Sequence, residues 1–181
     1  MRKRIAIDMD EVIADVLPKF LDLYEATYGR RPAKEEYWGR KLYKVEGGMA
    51  LRKHLFEKGF FRDLPVIEGS QEAIKLLMEH CDIYITTAAM EFRASFEDKY
   101  DWLAEHFPFI HWKNIVFCGD KSVIRTDYMI DDHSFNLKTF AGTGLLFTAS
   151  HNAHETGYTR VNNWTEVLEF FEGELGVKLV P

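Results

Sequence analysis

Long apolar runs and cysteines are both scarce in this chain, and their scarcity argues against a membrane-spanning or secreted protein. No run approaches the roughly 20 apolar residues that span a bilayer. The apolar segment nearest Met1 is also too short for the apolar region of a secretory signal, which needs about 7–15 residues. The only two cysteines, Cys81 and Cys118, each lie beside an apolar segment. We therefore expect a cytoplasmic protein with no membrane partner and reduced thiols, the alternative being a single disulfide.

Clustered positive charge is missing as well. The net charge is −6, and lysine and arginine are scattered apart from residues 2–4 and 30–31. Neither short cluster amounts to a basic groove, which argues against a nucleic-acid polymer as the main partner. An acidic protein can still bind a small phosphate where positive charge is concentrated locally, and a bound divalent cation supplies such charge.

Short continuous apolar runs alternate with helical patterns along most of the 181 residues. This alternation predicts an α/β fold, with a Rossmann-like parallel sheet and helices on both of its faces. One helix is predicted from an N-cap at Ser70 to His80, a second over 92–106, and a last one capped by Asn163. The predicted strands are 4–8, 82–86, 114–118, 128–131 and 144–148.

A stretch of some fifty residues without a strand pattern delays the second strand. Its apolar residues recur at helical spacing, so we predict a small helical cap inserted after the first strand. In open α/β sheets the carboxyl ends of the strands are where ligands bind, and the cap is expected to stand over them. The predicted division is a core of residues 1–14 and 66–181 with a cap of residues 15–65.

Two carboxylates, Asp8 and Asp10, end the first strand at a spacing that places both on one side of an extended chain. Two like charges need compensation by a cation, a shared proton or a substrate. Further polar residues follow the other predicted strands and are expected at the same edge of the sheet. Carboxylates with a lysine and hydroxyls suit a Mg²⁺ ion and a phosphoryl group. These further residues are Thr86, Thr87, Lys121, Asp131 and Asp132.

In order and position these residues match the motifs of the haloacid-dehalogenase-like phosphatases: an N-terminal DxDx[TV], a strand-end Thr or Ser, a Lys and a late acidic pair. Longer segments resemble the 5′(3′)-deoxyribonucleotidases, and the resemblance covers nearly the whole chain. It implies a Mg²⁺-dependent phosphomonoesterase that hydrolyses (deoxy)nucleoside monophosphates through an aspartyl-phosphate, in a family whose members can be homodimers. The segments that carry it are 8–15, 59–64, 120–123, 130–132 and 146–152.

The resemblance also implies roles for individual residues. Asp8 is expected to attack phosphorus, since an ionised carboxylate needs no base, and Asp10 is expected to serve as acid and then base. Lys121 and Thr87 are expected to hold the phosphate oxygens, with Thr87 favoured over Thr86.

By the same resemblance, the Asp8 side chain, the Asp10 backbone carbonyl and Asp132 bind Mg²⁺. Asp131 either joins them or supports them. Aromatic residues of the cap are candidates for stacking on a base, although aromatic side chains more often belong to a core. These candidates are Trp38, Tyr43, Phe56 and Phe61.

Four positions depart from the family pattern. Family members usually have Gly at the position of Glu11 and often a hydroxyl at the position of Ala88, while an aromatic aligns with Val16 and a tyrosine with Phe56. Base and sugar preference therefore cannot be transferred. Three rival functions stay open: a phosphatase of sugar phosphates or other small metabolites, a phospho-accepting signalling domain, and a catalytically silent binding module, which the intact motifs disfavour. The loop containing His151 is interpreted as structural, since no further zinc ligands lie nearby in sequence.

Overall fold

Six short strands form one sheet in the computed structural model, which describes residues 2–179. The strand order is β3-β2-β1-β4-β5-β6, and every neighbouring pair is parallel. The five predicted strands are confirmed to within one residue at each end. The sixth was missed because its three residues include Thr159 and Arg160, are partly exposed and form no apolar run. The strands are β1 (Lys3–Asp8), β2 (Cys81–Thr87), β3 (Ile115–Phe117), β4 (Tyr128–Asp131), β5 (Thr143–Phe147) and β6 (Thr159–Val161).

The α-helices fall between and after these strands, joined by short 3-10 turns. The described residues form α1 (Leu17–Tyr28), α2 (Lys34–Tyr37), α3 (Gly48–Leu51), α4 (Ser70–His80), α5 (Ser95–His106), α6 (Ser134–Thr139) and α7 (Trp164–Leu175). None of these helices is long and apolar enough to cross a membrane.

Two helix starts differ from the predicted ones, and one agrees. The N-cap of α4 is Gly69, at a φ of 77°, and Ser70 is already helical, with a buried hydroxyl that has no hydrogen-bond partner. The helix predicted from residue 92 begins at Ser95, because residues 92–94 form a bend and a turn after the 3-10 turn Ala89–Glu91. Asn163 does cap α7, its side chain accepting from the backbone N–H of Glu166.

The core lies on both faces of the sheet because side chains alternate along each strand. Ile5 and Ile7 of β1 pack on the face covered by α4, α5 and α7, where Trp102 and Trp164 are fully buried. Ala6 faces the opposite side with the smaller cluster that includes Leu137 of α6. Strands buried on both faces explain the continuous apolar runs in the sequence.

The helical insertion leaves and re-enters the sheet domain at one short stem. The backbone N–H of Asp15 donates to Pro65 at 2.8 Å, and that of Ile67 donates to Ile13 at 2.8 Å. Ala14 and Val66 form an antiparallel bridge between these two bonds. Among the described residues, the elements between β1 and α4 are helices and turns. The division into a core and a cap at these residues stays a prediction, which the stem supports.

Candidate active site

The carboxylate at the end of β1 is buried and paired. Lys121, itself only 3% exposed, places its Nζ 2.6 Å from Asp8 Oδ1 and 2.6 Å from Asp131 Oδ2. Burial alone raises the pKa of Asp8, but the charge and hydrogen bond of Lys121 outweigh it and lower that pKa. Although burial opposes protonation of the lysine, the two carboxylates raise the pKa of Lys121. Asp8 is therefore held ionised beside a fixed cation.

Asp131 uses both of its oxygens within the protein. Oδ1 accepts from the backbone N–H of His133 at 2.8 Å and from Asn136 Nδ2 at 3.0 Å, while Oδ2 accepts from Lys121 and, at 3.1 Å, from Asn136. Burial, and next the charge of Asp8, raise the pKa of Asp131. These contacts fit a role of Asp131 in positioning Lys121. They fit a role as a metal ligand less well, because both carboxylate oxygens are already engaged.

Asp10 faces a lysine that was not among the predicted site residues. Lys99 of α5 is 1% exposed, and its Nζ donates to Asp10 Oδ2 at 2.6 Å and to Thr87 Oγ1 at 2.9 Å. The same ammonium lies 4.6 Å from the centre of the Phe61 ring. Lys99 thus joins the loop after β1, the end of β2 and the helical insertion in one contact.

The two threonines at the end of β2 have different surroundings. Thr86 donates its hydroxyl to the Ile7 carbonyl at 3.4 Å, so it is occupied by the sheet. Thr87 accepts from Lys99 and keeps its hydroxyl proton for another acceptor. The geometry therefore favours Thr87 over Thr86 for a phosphate contact, which stays a prediction.

We predict that Lys99→Met lowers kcat by about 10²-fold, with little change in KM, because Asp10 loses the donor that fixes its carboxylate. Steady-state phosphate release measures both constants, and circular dichroism checks the fold. Lys138→Met, at an exposed position, is the matched control. A kcat within twofold of the unsubstituted enzyme would rule out this role.

Two histidines that follow neighbouring strands lie beside the carboxylate of Asp132. Its Oδ2 lies 3.0 Å from His133 Nδ1 and 3.4 Å from His151 Nε2, and its backbone oxygen accepts from Asn152 Nδ2 at 2.7 Å. Burial raises the pKa of Asp132 even though the nearby histidines oppose this effect. Although no further zinc ligand is near His151 in sequence, the fold places it beside both Asp132 and His133, and its interpretation as structural stays a prediction.

The acidic residues at this edge provide hard donors for a cation. Carboxylate oxygens of Asp8, Asp131 and Asp132 all lie within 4.8 Å of one another. Within residues 2–179, no hydrogen bond ends on the backbone oxygen of Asp10, and Asp10 Oδ1 is buried without a partner. Oxygen donors beside a carboxylate oxygen that lacks a hydrogen-bond partner fit Mg²⁺. Because the oxygens of Asp131 are engaged, Asp8, the Asp10 carbonyl and Asp132 fit best.

Glu11 occupies a backbone conformation that explains why glycine is usual at this position in the family. Its φ is 59°, the only positive φ at a non-glycine position among the described residues. Burial, followed by the charges of Asp132, Asp15 and Asp10, raises the pKa of Glu11 well above its ordinary value. The carboxylate accepts from the backbone N–H of Val16 at 3.1 Å. Glycine suits such a φ because it has no Cβ.

We predict that the free energy of unfolding of Glu11→Gly is about 1 kcal/mol higher than that of Glu11→Ala. Both changes remove the same contacts of the carboxylate, so the comparison isolates the backbone cost of a Cβ at positive φ. Urea unfolding followed by circular dichroism measures the difference. Equal stabilities for the two variants would show that the loop relaxes to accommodate the Cβ.

Two adjoining cavities lie above the strand ends. The first, of about 320 Å³, contains Asp8, Asp10 and Lys121 among its walls. The second, of about 180 Å³, is mainly apolar. Seven residues border both cavities, which therefore adjoin: Asp10, Lys41, Tyr43, Leu55, Phe92, Asp132 and His133.

The cap aromatics separate into two groups around these cavities. Tyr43 borders both cavities, and Phe61 borders the apolar one. Trp38 instead borders a different depression and carries Lys34 over its ring at 3.9 Å, while Phe56 is half exposed and packs edge-on against Phe92. Apolar walls that were not among the predicted residues come from Val16, Leu17, Phe20, Leu42, Leu55 and Phe92.

Comparison with known proteins gives consistent results. Residues 2–176 match the family model described as 5′ nucleotidase, deoxy (pyrimidine), cytosolic type C protein. A Staphylococcus aureus (strain Mu50) protein provisionally named 5′(3′)-deoxyribonucleotidase is 45% identical over 172 residues, covering 94% of this chain and 96% of its own. The 5′(3′)-deoxyribonucleotidase of Bacillus subtilis (strain 168) is 43% identical over 170 residues, covering 92% and 97%.

Solved structures show the same fold at much lower identity. A haloacid dehalogenase-like hydrolase from Burkholderia xenovorans has a TM-score of 0.59 at 14% identity, covering 95% of this chain and 97% of its own. The HAD-hydrolase YfnB from Bacillus subtilis, bound to magnesium, has a TM-score of 0.58 at 14% identity, covering 97% and 99%. These similarities establish the fold, a Rossmann-like sheet of the haloacid-dehalogenase type.

Proposed function

The chain belongs to the family of 5′ nucleotidase, deoxy (pyrimidine), cytosolic type C proteins and is a hydrolase of the 5′-nucleotidase type. From this premise we propose that it is a Mg²⁺-dependent 5′(3′)-deoxyribonucleotidase that releases nucleoside and phosphate through an aspartyl-phosphate on Asp8. Its relatives' names supply the substrate class, and the residues described above supply the chemistry. A cytoplasmic location and homodimerisation stay predictions.

The position of the two cavities side by side is the observation that carries this proposal. A polar cavity with Asp8 and Lys121 lies beside an apolar one with Phe61, and Tyr43 borders both. A nucleoside monophosphate has the same division, since its phosphate is charged and its base is flat and largely apolar. Stacking on an aromatic ring contributes about 1–3 kcal/mol per base.

In the proposed reaction Asp8 Oδ attacks phosphorus in line, and the bond from phosphorus to the ester oxygen breaks. Lys121 lies 2.6 Å from Asp8, where it can contact the equatorial oxygens on which charge accumulates. Thr87 can donate its hydroxyl to another of these oxygens. Asp10 gives its proton to the departing nucleoside oxygen, then takes one from the water that hydrolyses the phosphoenzyme.

Lys99 fixes the carboxylate of Asp10 for both proton transfers. Its contacts with Asp10 and Thr87 tie the acid to the phosphate site. The apolar ring of Phe61 covers the same ammonium, so water is kept from its outer side. A rigid acid is expected to donate along one direction only, toward the ester oxygen.

Mg²⁺ is proposed to be held by Asp8, the backbone carbonyl of Asp10 and Asp132. The ion, when bound, neutralises the phosphate charge that would otherwise repel the Asp8 carboxylate. The structurally similar hydrolase YfnB is bound to magnesium, which supports this choice of metal. Asp131 is proposed to support the site through Lys121.

A phosphate-release panel tests the function. We expect dUMP and dTMP to be hydrolysed fastest among dUMP, dTMP, ribonucleotides, 3′-monophosphates and sugar phosphates. EDTA is expected to abolish release and Mg²⁺ to restore it. If every nucleotide were slower than the sugar phosphates, the substrate assignment would fall in favour of the metabolite phosphatase. Stable phosphorylation without turnover would instead indicate a signalling domain.

A further inference from the structure

The two histidines beside Asp132 form a constellation that the hydrolysis of a phosphate ester does not require. His133 follows β4 and His151 follows β5, and both rings converge on the Oδ2 atom of one carboxylate. Their ring centres are 4.5 Å apart. From this geometry we infer a Zn²⁺ site made of Asp132, His133 and His151, through which Zn²⁺ inhibits the enzyme.

The distances between the donor atoms suit a tetrahedral ion. Ligand atoms about 2.0–2.1 Å from a tetrahedral zinc lie roughly 3.3 Å from one another. Asp132 Oδ2 is 3.0 Å from His133 Nδ1 and 3.4 Å from His151 Nε2. One donor atom from each of the three residues lies within 4.8 Å of a donor atom of the other two. Three protein ligands leave a fourth position for water.

The hydrogen-bonding state of His133 points independently to a missing partner. Its Nδ1 is buried and lacks a well-aligned hydrogen bond, although Asp132 Oδ2 lies 3.0 Å away. A buried polar atom without a partner is unfavourable, and a metal ion at this place would satisfy it. Imidazole nitrogens with one carboxylate select Zn²⁺ over Mg²⁺, which prefers oxygen ligands.

Two existing contacts work against the ion. His151 Nε2 lies 3.2 Å from the backbone oxygen of Asp132, a hydrogen bond that zinc would replace, and Lys41 contacts His133. Lys41 of the insertion places its Nζ 2.6 Å from His133 Nε2. When His133 binds zinc through Nδ1, its Nε2 carries a proton and can no longer accept from Lys41. The ammonium must therefore turn away, and a contact between the insertion and the sheet domain is lost. Lys41 accordingly weakens zinc binding without preventing it.

Inhibition follows from the shared carboxylate. Asp132 is a proposed Mg²⁺ ligand. A Zn²⁺ ion bound to its Oδ2 and to both histidines takes this carboxylate away from Mg²⁺. The binding of Zn²⁺ stands without the proposed function, whereas inhibition rests on it. The two parts are therefore tested by separate measurements.

Co²⁺, whose four-coordinate complexes absorb visible light far more strongly than six-coordinate ones, is the probe for binding. The metal-stripped chain is titrated with Co²⁺, which is then displaced by Zn²⁺. We expect a strong four-coordinate band that His133→Asn and His151→Asn each abolish, with Zn²⁺ affinity lowered at least about tenfold. Lys41→Met is expected to raise that affinity, and His80→Gln, at an exposed position, to leave it unchanged.

Asp8→Asn distinguishes this site from the proposed Mg²⁺ site, because Asp8 is not one of the three zinc ligands. We expect its Zn²⁺ affinity to match that of the unsubstituted chain. If Asp8→Asn abolished Zn²⁺ binding while the histidine variants kept it, zinc would occupy the Mg²⁺ site and the inference would be wrong. Absence of the strong Co²⁺ band would overturn it as well.

The inhibitory part is measured as the ratio of Mg²⁺-supported phosphate release with and without Zn²⁺, within each variant. We expect the ratio to fall steeply for the unsubstituted enzyme and His80→Gln, and to stay near one for His151→Asn at the same Zn²⁺ concentration. Equal inhibition of all three would refute the regulatory role. If no variant released phosphate from any substrate, the proposed function would fail while the Co²⁺ titration still decided the site.

Discussion

Asp8→Asn is expected to lower the rate of phosphate release by more than about 10⁴-fold, because an amide cannot attack phosphorus. The fold should persist, since asparagine has the shape of aspartate and Lys121 keeps its contact with Asp131. Initial rates with dUMP measure the first effect. Thermal unfolding followed by circular dichroism measures the second.

Two further variants make this experiment decisive. Asp8→Ala guards against deamidation of the new asparagine, which would regenerate aspartate, and intact mass spectrometry verifies each preparation. Asp101→Asn, at an exposed position of α5, is the matched control and should keep full activity. Turnover retained in both Asp8 variants would remove Asp8 from the role of nucleophile.

Asp10→Asn is the second substitution with a large expected effect, and its result should depend on the leaving group. With a nucleotide, whose alkoxide leaves poorly, we expect kcat to fall by about 10³-fold because no proton is supplied. With p-nitrophenyl phosphate the leaving group needs no proton, so Asp8 can still be phosphorylated. The second step still lacks its base, and the phosphoenzyme should therefore accumulate.

The expected observation is a burst of nitrophenolate equal to the amount of enzyme, followed by slow turnover. The unsubstituted enzyme, which has both steps intact, serves as the reference. Because the amide at position 10 can still accept from Lys99, the variant tests the proton transfer more than the loop geometry. Ordinary rates with both substrates would exclude Asp10 as the acid and base.

The sheet was largely predictable because strands buried on both faces produce continuous apolar runs. The edge at which Asp8, Lys121 and Asp131 meet was predictable for a similar reason, since parallel strands end on one side. The strand Thr159–Val161 was not, because it is short and partly exposed. Ser70 failed as an N-cap because Gly69 supplies the positive φ at that helix start.

The partners of the acidic residues were harder to predict, since they depend on contacts between distant segments. Lys99 carried one usable signal, since it lies on the helical stripe of Trp102 and Leu103 and so faces inward. His133 and His151 are far apart in sequence and meet only because β4 and β5 are neighbours. The conformation of Glu11 leaves no trace in spacing or periodicity.

Covalent catalysis by Asp8 is the central claim, and mass spectrometry of an acid-quenched reaction tests it most directly. Asp10→Asn is mixed with p-nitrophenyl phosphate and Mg²⁺, quenched during the burst, and digested. We predict one phosphoryl group on the peptide that contains residue 8, attached to the Asp8 side chain. A burst of nitrophenolate with the label at another residue, or turnover without any labelled protein, would contradict it.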